Sequence, residues 1–382
     1  MSHGLPPSLG NMSHWIDLTS AIVREMATSP SQWNVRRSFT NVARKLGVDE
    51  ETVRNRLRMM REMGLLQGWR LIVNARLLGM ESSNLVMEFQ DAESKEAAAP
   101  RIRQADGVVL IQNFFGKTMQ VTVFHEERDD FEKRVFNRIV ASPTNAAKLI
   151  TWWKVRLPHC EHKPKEIDWR IIGAMLRNAE RKFPEIAHEL KVSTRTVKRR
   201  MNLMMGSSAF FVQPVLDLRK AVGVTPCQLL IECSPEKKRA IDDLVVSEFE
   251  RMVFRLTNSE THSVFTILCS NVSETKEILK WARAQEGVRL AKTDILEDQD
   301  SVHEWLEREV RRRIDKEPAG ESSAERERRP KPRRAAFSRR PRLVDKHDCK
   351  LRGKAGVEES SQDFLKRRKG SAGRPRKEAL QR

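Results

Sequence analysis

With 382 residues the chain can build two or three domains, each large enough for its own core. Its 71 Lys and Arg against 52 Asp and Glu leave a formal charge of +19, which points to a polyanionic partner. No apolar run is long enough to span a membrane, residues 1–7 lack the basic start of a signal peptide, and five cysteines with no Cys-x-x-Cys pair point to reduced cytosolic thiols.

In chain order, residues 1–12 read as a disordered N-terminus and 13–80 as a winged helix-turn-helix. In this stretch Asp49 is placed to cap a helix with Val53, Leu57 and Met60 on its inner face. Arg54, Asn55, Arg56, Arg58 and Arg61 lie mostly on the outer face. Gly64 to Ile72, with two glycines among apolar residues, predicts a short hairpin, the wing. Residues 81–157 then predict strands at Asn84–Phe89, Val108–Phe115, Met119–Phe124 and Lys148–Val155. Helices at Ala92–Gln104 and Glu127–Val140 fall between them, in the order βαββαβ of a ferredoxin-like sheet.

Residues 158–165 form a linker. Its His159-Cys160-Glu161-His162 offers metal-ligand types, but a structural zinc site needs a second, distant pair, and none is evident. Residues 166–224 predict a second winged helix-turn-helix, with helices at Ile167–Arg177, Pro184–Leu190 and Thr194–Met205. Ser193 caps the last of these; Val197, Met201 and Met204 face inward, while Thr194, Arg195, Lys198, Arg199 and Arg200 do not. Residues 225–299 repeat the βαββαβ order. The strands are Gln228–Cys233, Met252–Thr257, Ser263–Cys269 and Val288–Leu296, and the helices are Pro235–Ser247 and Ser273–Ala284. A helical extension is expected over 300–317.

The two halves align with each other. An offset of 144 sets Phe39–Val53 on Phe183–Val197 and continues without a gap through Arg56 on Arg200, Gly79 on Gly223, and Thr122 on Thr266. A period this long is no solenoid; it reads as a duplicated module. The fold class is therefore α+β, with two winged helix-turn-helix domains alternating with two ferredoxin-like domains. Two short helices joined tightly, the second basic outside, form the geometry that places a helix in the DNA major groove. Val108–Ile111 and Val264–Leu268 are apolar on both faces, while helices cover only one. The free face calls for a second sheet, supplied within the chain or by a homodimer.

Asn41-Val42-Ala43-Arg44-Lys45-Leu46-Gly47-Val48-x-x-x-Thr52-Val53-x-x-Arg56-Leu57, and its counterpart from Ile186 to Met201, resemble the Lrp/AsnC family of transcription regulators. The resemblance spans about Trp15 to Asp298. It implies sheet pairing, binding to double-stranded promoter DNA, and a small-molecule effector such as an amino acid held between sensory domains. The family usually has a Gly and an Asp between the second and third strands; here Gly116 stands in the first half and no glycine in the second. Copy one also carries about seven extra residues around Pro30–Arg36, and its recognition helix begins with Glu50-Glu51 where copy two has Thr194-Arg195. Siroheme decarboxylases resemble the same modules and give the alternative, an enzyme. They would keep a histidine, an arginine and tyrosines in the cleft, whereas this chain has no tyrosine.

Residues 318–382 hold 21 Lys and Arg against 9 Asp and Glu, with few large apolar side chains, and are expected to be a disordered basic tail. Gly373-Arg374-Pro375-Arg376-Lys377 resembles an AT-hook lacking its leading arginine, with Arg374 and Arg376 as the DNA contacts. No nucleophile triad, phosphate loop or paired acidic motif stands out; His125 reads as a strand end at the surface. The expectation is a cytoplasmic, nucleoid-associated, non-enzymatic DNA binder with no catalytic, cofactor or metal site. A nucleoid-organising protein is a further alternative.

Overall fold

The computed structural model describes residues 18–23, 25, 39–126, 147–221, 223–249, 252–256 and 259–316, of which 252–256 are described by backbone alone. The N-terminal residues 1–17, the insertion around Pro30–Arg36, the helix expected at Glu127–Val140 and the tail with Arg374 and Arg376 lie outside the described residues.

In the N-terminal half, helices α1 (Phe39–Leu46) and α2 (Glu50–Glu62) bury Val42, Ala43, Val53, Leu57 and Met60. The C-terminal half has α4 (Glu166–Met175), α5 (Phe183–Glu189) and α6 (Thr194–Gly206), whose inward residues include Ile171, Ile172, Ile186, Val197, Met201 and Met204. α2 starts where Asp49 accepts from the Thr52 N–H at 2.6 Å, and α6 starts where Ser193 accepts from the Thr196 N–H at 3.0 Å. Each cap satisfies a backbone donor that the first helical turn leaves free.

Among the described residues Gly64 to Ile72 forms no hairpin, which corrects the expectation of a wing there. That stretch gives one strand, β1 (Leu66–Val73), paired antiparallel with β6 (Phe210–Leu216) of the other half. The glycines that suggested a turn serve other ends: Gly64, at φ 73°, lies between α2 and β1, and Gly68 lies at a register shift. Trp69 pairs with Pro214 and Arg70 with Gln213, so the ribbon has a local two-fold at its centre under the offset of 144. Trp69, Leu71 and Val73 join Phe210, Val212 and Leu216 in one core that runs through both helix-turn-helix units.

The strands β2 (Glu81–Glu88), β3 (Val108–Phe114), β4 (Thr118–His125) and β5 (Lys148–Lys154) form the first sheet, in the order β5-β2-β4-β3. α3 (Ala92–Gln104) packs on its face over Leu85, Met87, Met119 and Val121. The second sheet is β10-β7-β9-β8, made of β7 (Thr225–Cys233), β8 (Met252–Leu256), β9 (His262–Cys269) and β10 (Val288–Ser301). α7 (Pro235–Glu248) and α8 (Val272–Arg283) cover Leu229, Ile231, Phe265 and Ile267. Gly79 and Gly223, which lead into the two sheets, hold φ of 72° and 78°, a conformation that disfavours any side chain.

β10 runs five residues past the strand end expected at Leu296. Its first part pairs with β7 and its last part, Leu296 to Ser301, with β3, joining the sheets into one of eight strands. The expected helix over 300–317 is correspondingly shorter, α9 (Glu304–Lys316). The faces turned from the helices meet each other: Val86, Trp153, Leu230 and Val264 form a separate buried cluster, and Trp153 stacks on His262 at 4.9 Å. The apolar second face of each sheet is thus covered inside the chain. α9 closes the assembly: Trp305 meets Phe124 edge-on, Arg177 holds Glu307, and Arg313 donates to the Leu78 carbonyl at 2.7 Å.

Candidate nucleic-acid interface

The outer face of α6 is built by helical spacing. With Val197, Met201 and Met204 turned inward, Thr194, Arg195, Lys198, Arg199 and Asn202 come out to solvent. Arg195, Lys198 and Arg199 have no ion-pair or side-chain hydrogen-bond partner among the described residues, so three cations stand free along just over one turn. Only Ser193 and Thr194 precede them, and no acid lies in the first turn.

Arg200 is different, and the structure corrects its placement as a DNA contact. It is 7% exposed and donates from Nε to Asp168 Oδ1 at 2.6 Å, with Nη2 on Oδ2. Asp168, fully buried at the start of α4, also accepts from the Lys165 N–H at 2.8 Å and lies 3.0 Å from His162 Nε2. Burial alone would raise the Asp168 carboxyl, but the Arg200 guanidinium, the Lys165 N–H and His162 together hold it below the usual carboxylate range. Asp168 therefore fastens the linker, α4 and α6 to one another. Sequence reasoning missed it; an acid between Ile167 and Trp169 in an apolar helix was the available signal.

The outer face of α2 is occupied by its own charges. Glu50 accepts from the Thr40 hydroxyl and from Arg54 Nε at 3.0 Å, and Arg54 lies 4.8 Å over the Phe39 ring. Thr40 first, and then Arg54, hold Glu50 below its ordinary pKa, so it stays ionised. Arg58 donates to Asn55 Oδ1 at 2.7 Å, and Arg61 pairs with Glu180 of the other half. Arg56 is half-buried, and burial lowers its guanidinium. Of the residues expected to read DNA here, Arg54, Asn55 and Arg58 reach the surface, each already engaged.

The remaining candidates are accounted for locally. His125 ends β4 but is buried, not at the surface, and lies 2.8 Å from the Ser83 hydroxyl. His159 pairs with Glu161 and His162 with Asp168, so the linker cluster does not converge; no group of three metal-ligating side chains occurs among the described residues. At the turn where an effector is expected, Gly116 has φ 82°, and Phe115 beside it is 64% exposed. No helix among the described residues is long and apolar enough to cross a membrane.

Comparison with known proteins assigns the segment that carries α6. Residues 166–205 match the AsnC-type helix-turn-helix domain. Over 84 residues the chain is 29% identical to the HTH-type transcriptional regulator Ptr1 of Methanocaldococcus jannaschii, covering 22% of this chain and 57% of that protein. Over 64 residues it is 33% identical to the HTH-type transcriptional regulator LrpA of Pyrococcus horikoshii, covering 17% of this chain and 43% of that one. The chain thus spans about half the length of the curated relatives it matches. Among solved structures, the siroheme decarboxylase NirDL aligns over 79% of this chain and 98% of its own, with 14% identity and a TM-score of 0.47. E. coli AsnC aligns over 39% of this chain and 96% of its own, with 17% identity and a TM-score of 0.26.

Proposed function

We propose that this chain is a sequence-specific, DNA-binding transcription regulator of Lrp/AsnC type that uses two unlike helix-turn-helix heads. The observation that carries the proposal is the row of free cations, Arg195, Lys198 and Arg199, on the outer face of α6 within the segment of AsnC type. Such side chains neutralise phosphates and hydrogen-bond to base edges. The matched relatives are named as transcription regulators, which favours a regulator over an enzyme. A cytoplasmic, nucleoid-associated location follows from this function.

The heads belong to a tandem duplication in this reading. In its favour, Gly79 and Gly223 share a positive φ, Asp49 and Ser193 cap equivalent helices, and the β1–β6 register is symmetric about the offset of 144. The C-terminal head grips DNA harder, because Arg54 is spent on Glu50 in the other. The basic tail adds affinity for any DNA. An amino-acid effector has little support at the Gly116 turn.

Replacing Arg195, Lys198 and Arg199 together by Ala, with fluorescence anisotropy on labelled duplex pools, tests the proposal. Affinity should fall by at least a hundredfold at moderate salt, with circular dichroism unchanged. Equal affinity of the triple variant and the wild type would overturn it.

A further inference from the structure

α1 and α5 end in the same left-handed turn. The Val48 N–H reaches the Ala43 carbonyl at 3.0 Å, and the Val192 N–H reaches the Ala187 carbonyl at 3.0 Å. The residue before each of these donors has positive φ: Gly47 at 68° and Lys191 at 54°. Glycine is favoured there because a Cβ crowds the backbone in the left-handed region. A Cβ added at Gly47 would meet nothing within 4 Å, so the backbone angle alone separates the two residues.

No contact among the described residues accounts for lysine at that angle. Lys191 is exposed and its ammonium has no partner among the described residues. Of the acids on α5, Glu189 is taken by Arg181, and Glu185 accepts from the Lys182 N–H. Strain kept without an internal contact points to an external one. Lys191 lies two residues before Ser193, the cap of α6, and four before Arg195.

We infer that Lys191 is a further DNA contact, its ammonium pairing with a backbone phosphate beside the bases that α6 addresses. The inference rests on the DNA-binding reading above. A phosphate contact positions the head and carries no sequence preference of its own. The N-terminal head, with Gly47 at this place, lacks the contact.

The test uses the full chain with Lys191→Gly, Lys191→Asn and Lys191→Arg. Glycine and asparagine tolerate the left-handed region, so both variants should fold, and Lys191→Gly should raise Tm. Both should weaken binding severalfold, equally on preferred and unrelated DNA, and flatten the plot of log affinity against log salt by about 0.9. Lys191→Arg should keep the wild-type slope. An unchanged slope in Lys191→Gly and Lys191→Asn would overturn the inference while leaving the function standing. A wild-type chain with no salt-dependent DNA binding would overturn the function and the inference together.

Discussion

Arg199 leaves α6 toward solvent, and Arg200 turns inward onto Asp168. One step of 100° along the helix separates a free cation from a buried ion pair, so substitutions at the two should fail differently. Arg199→Ala should weaken specific DNA binding by about 1–3 kcal/mol with little loss of stability. Arg200→Ala leaves Asp168 charged and buried, and should cost about 3–5 kcal/mol of folding stability. Asn55→Ala, on the head whose cations are engaged, should weaken binding less than Arg199→Ala. Gel-shift titration at one salt concentration checks the ranking, and urea unfolding checks the stability. The inward and outward faces of α2 and α6 were legible in the sequence because the 3.6-residue period is local. The fate of Arg200 was not, since its partner Asp168 lies 32 residues away in another helix, and helical periodicity within α6 says nothing about that contact.

Between the sheets, Trp153 of β5 stacks on His262 at the start of β9, and the Thr151 hydroxyl lies 2.9 Å from His262 Nε2. Burial lowers the His262 pKa from its ordinary 6.5, and Glu232 at 3.4 Å opposes this only in part. Well above pH 6.5 the ring is neutral in folded and unfolded chains alike. Between 6.5 and the lowered folded value, the unfolded chain holds the extra proton, so stability falls as pH falls through that window. His303, also lowered by burial, contributes in the same direction. Tm should therefore drop between pH 7.5 and 5.5, and His262→Gln should lose part of that drop; an identical pH dependence in the variant would contradict the assignment. The strands were readable as short apolar runs between turn residues. The missing wing was not. A glycine-containing apolar run reads as a hairpin when considered alone, and its pairing with β6 is set 144 residues away.

At the scale of the whole chain, the proposed reading gives the tail affinity and the two heads specificity. Residues 318–382 carry a net +12, so on DNA they would release counterions without reading bases. Deleting them should weaken binding to all DNA and flatten the salt slope, with site preference intact. Loss of preference with an unchanged slope would sink this division of labour. In the proposed reading the heads are tied by the β1–β6 ribbon, whose register is symmetric about Trp69–Pro214 and Arg70–Gln213 and whose core they share. A homodimer with a two-fold axis would favour a palindrome, because its reading helices are identical. Here Glu50, Glu51, Arg54 and Asn55 correspond under the offset of 144 to Thr194, Arg195, Lys198 and Arg199, so the two proposed reading surfaces differ in chemistry. Selection from random duplexes should therefore recover two unlike half-sites in inverted orientation, about one helical turn or a multiple apart. The half-site read by α6 should be the sharper of the two, because its cations are free while Arg54 is held by Glu50. Inverting α2 toward the other head, by Glu50→Thr with Glu51→Arg, should move the selected site toward a palindrome. Recovery of identical half-sites by the wild type would mean that the two heads read alike despite their sequences, and would overturn the argument from asymmetry.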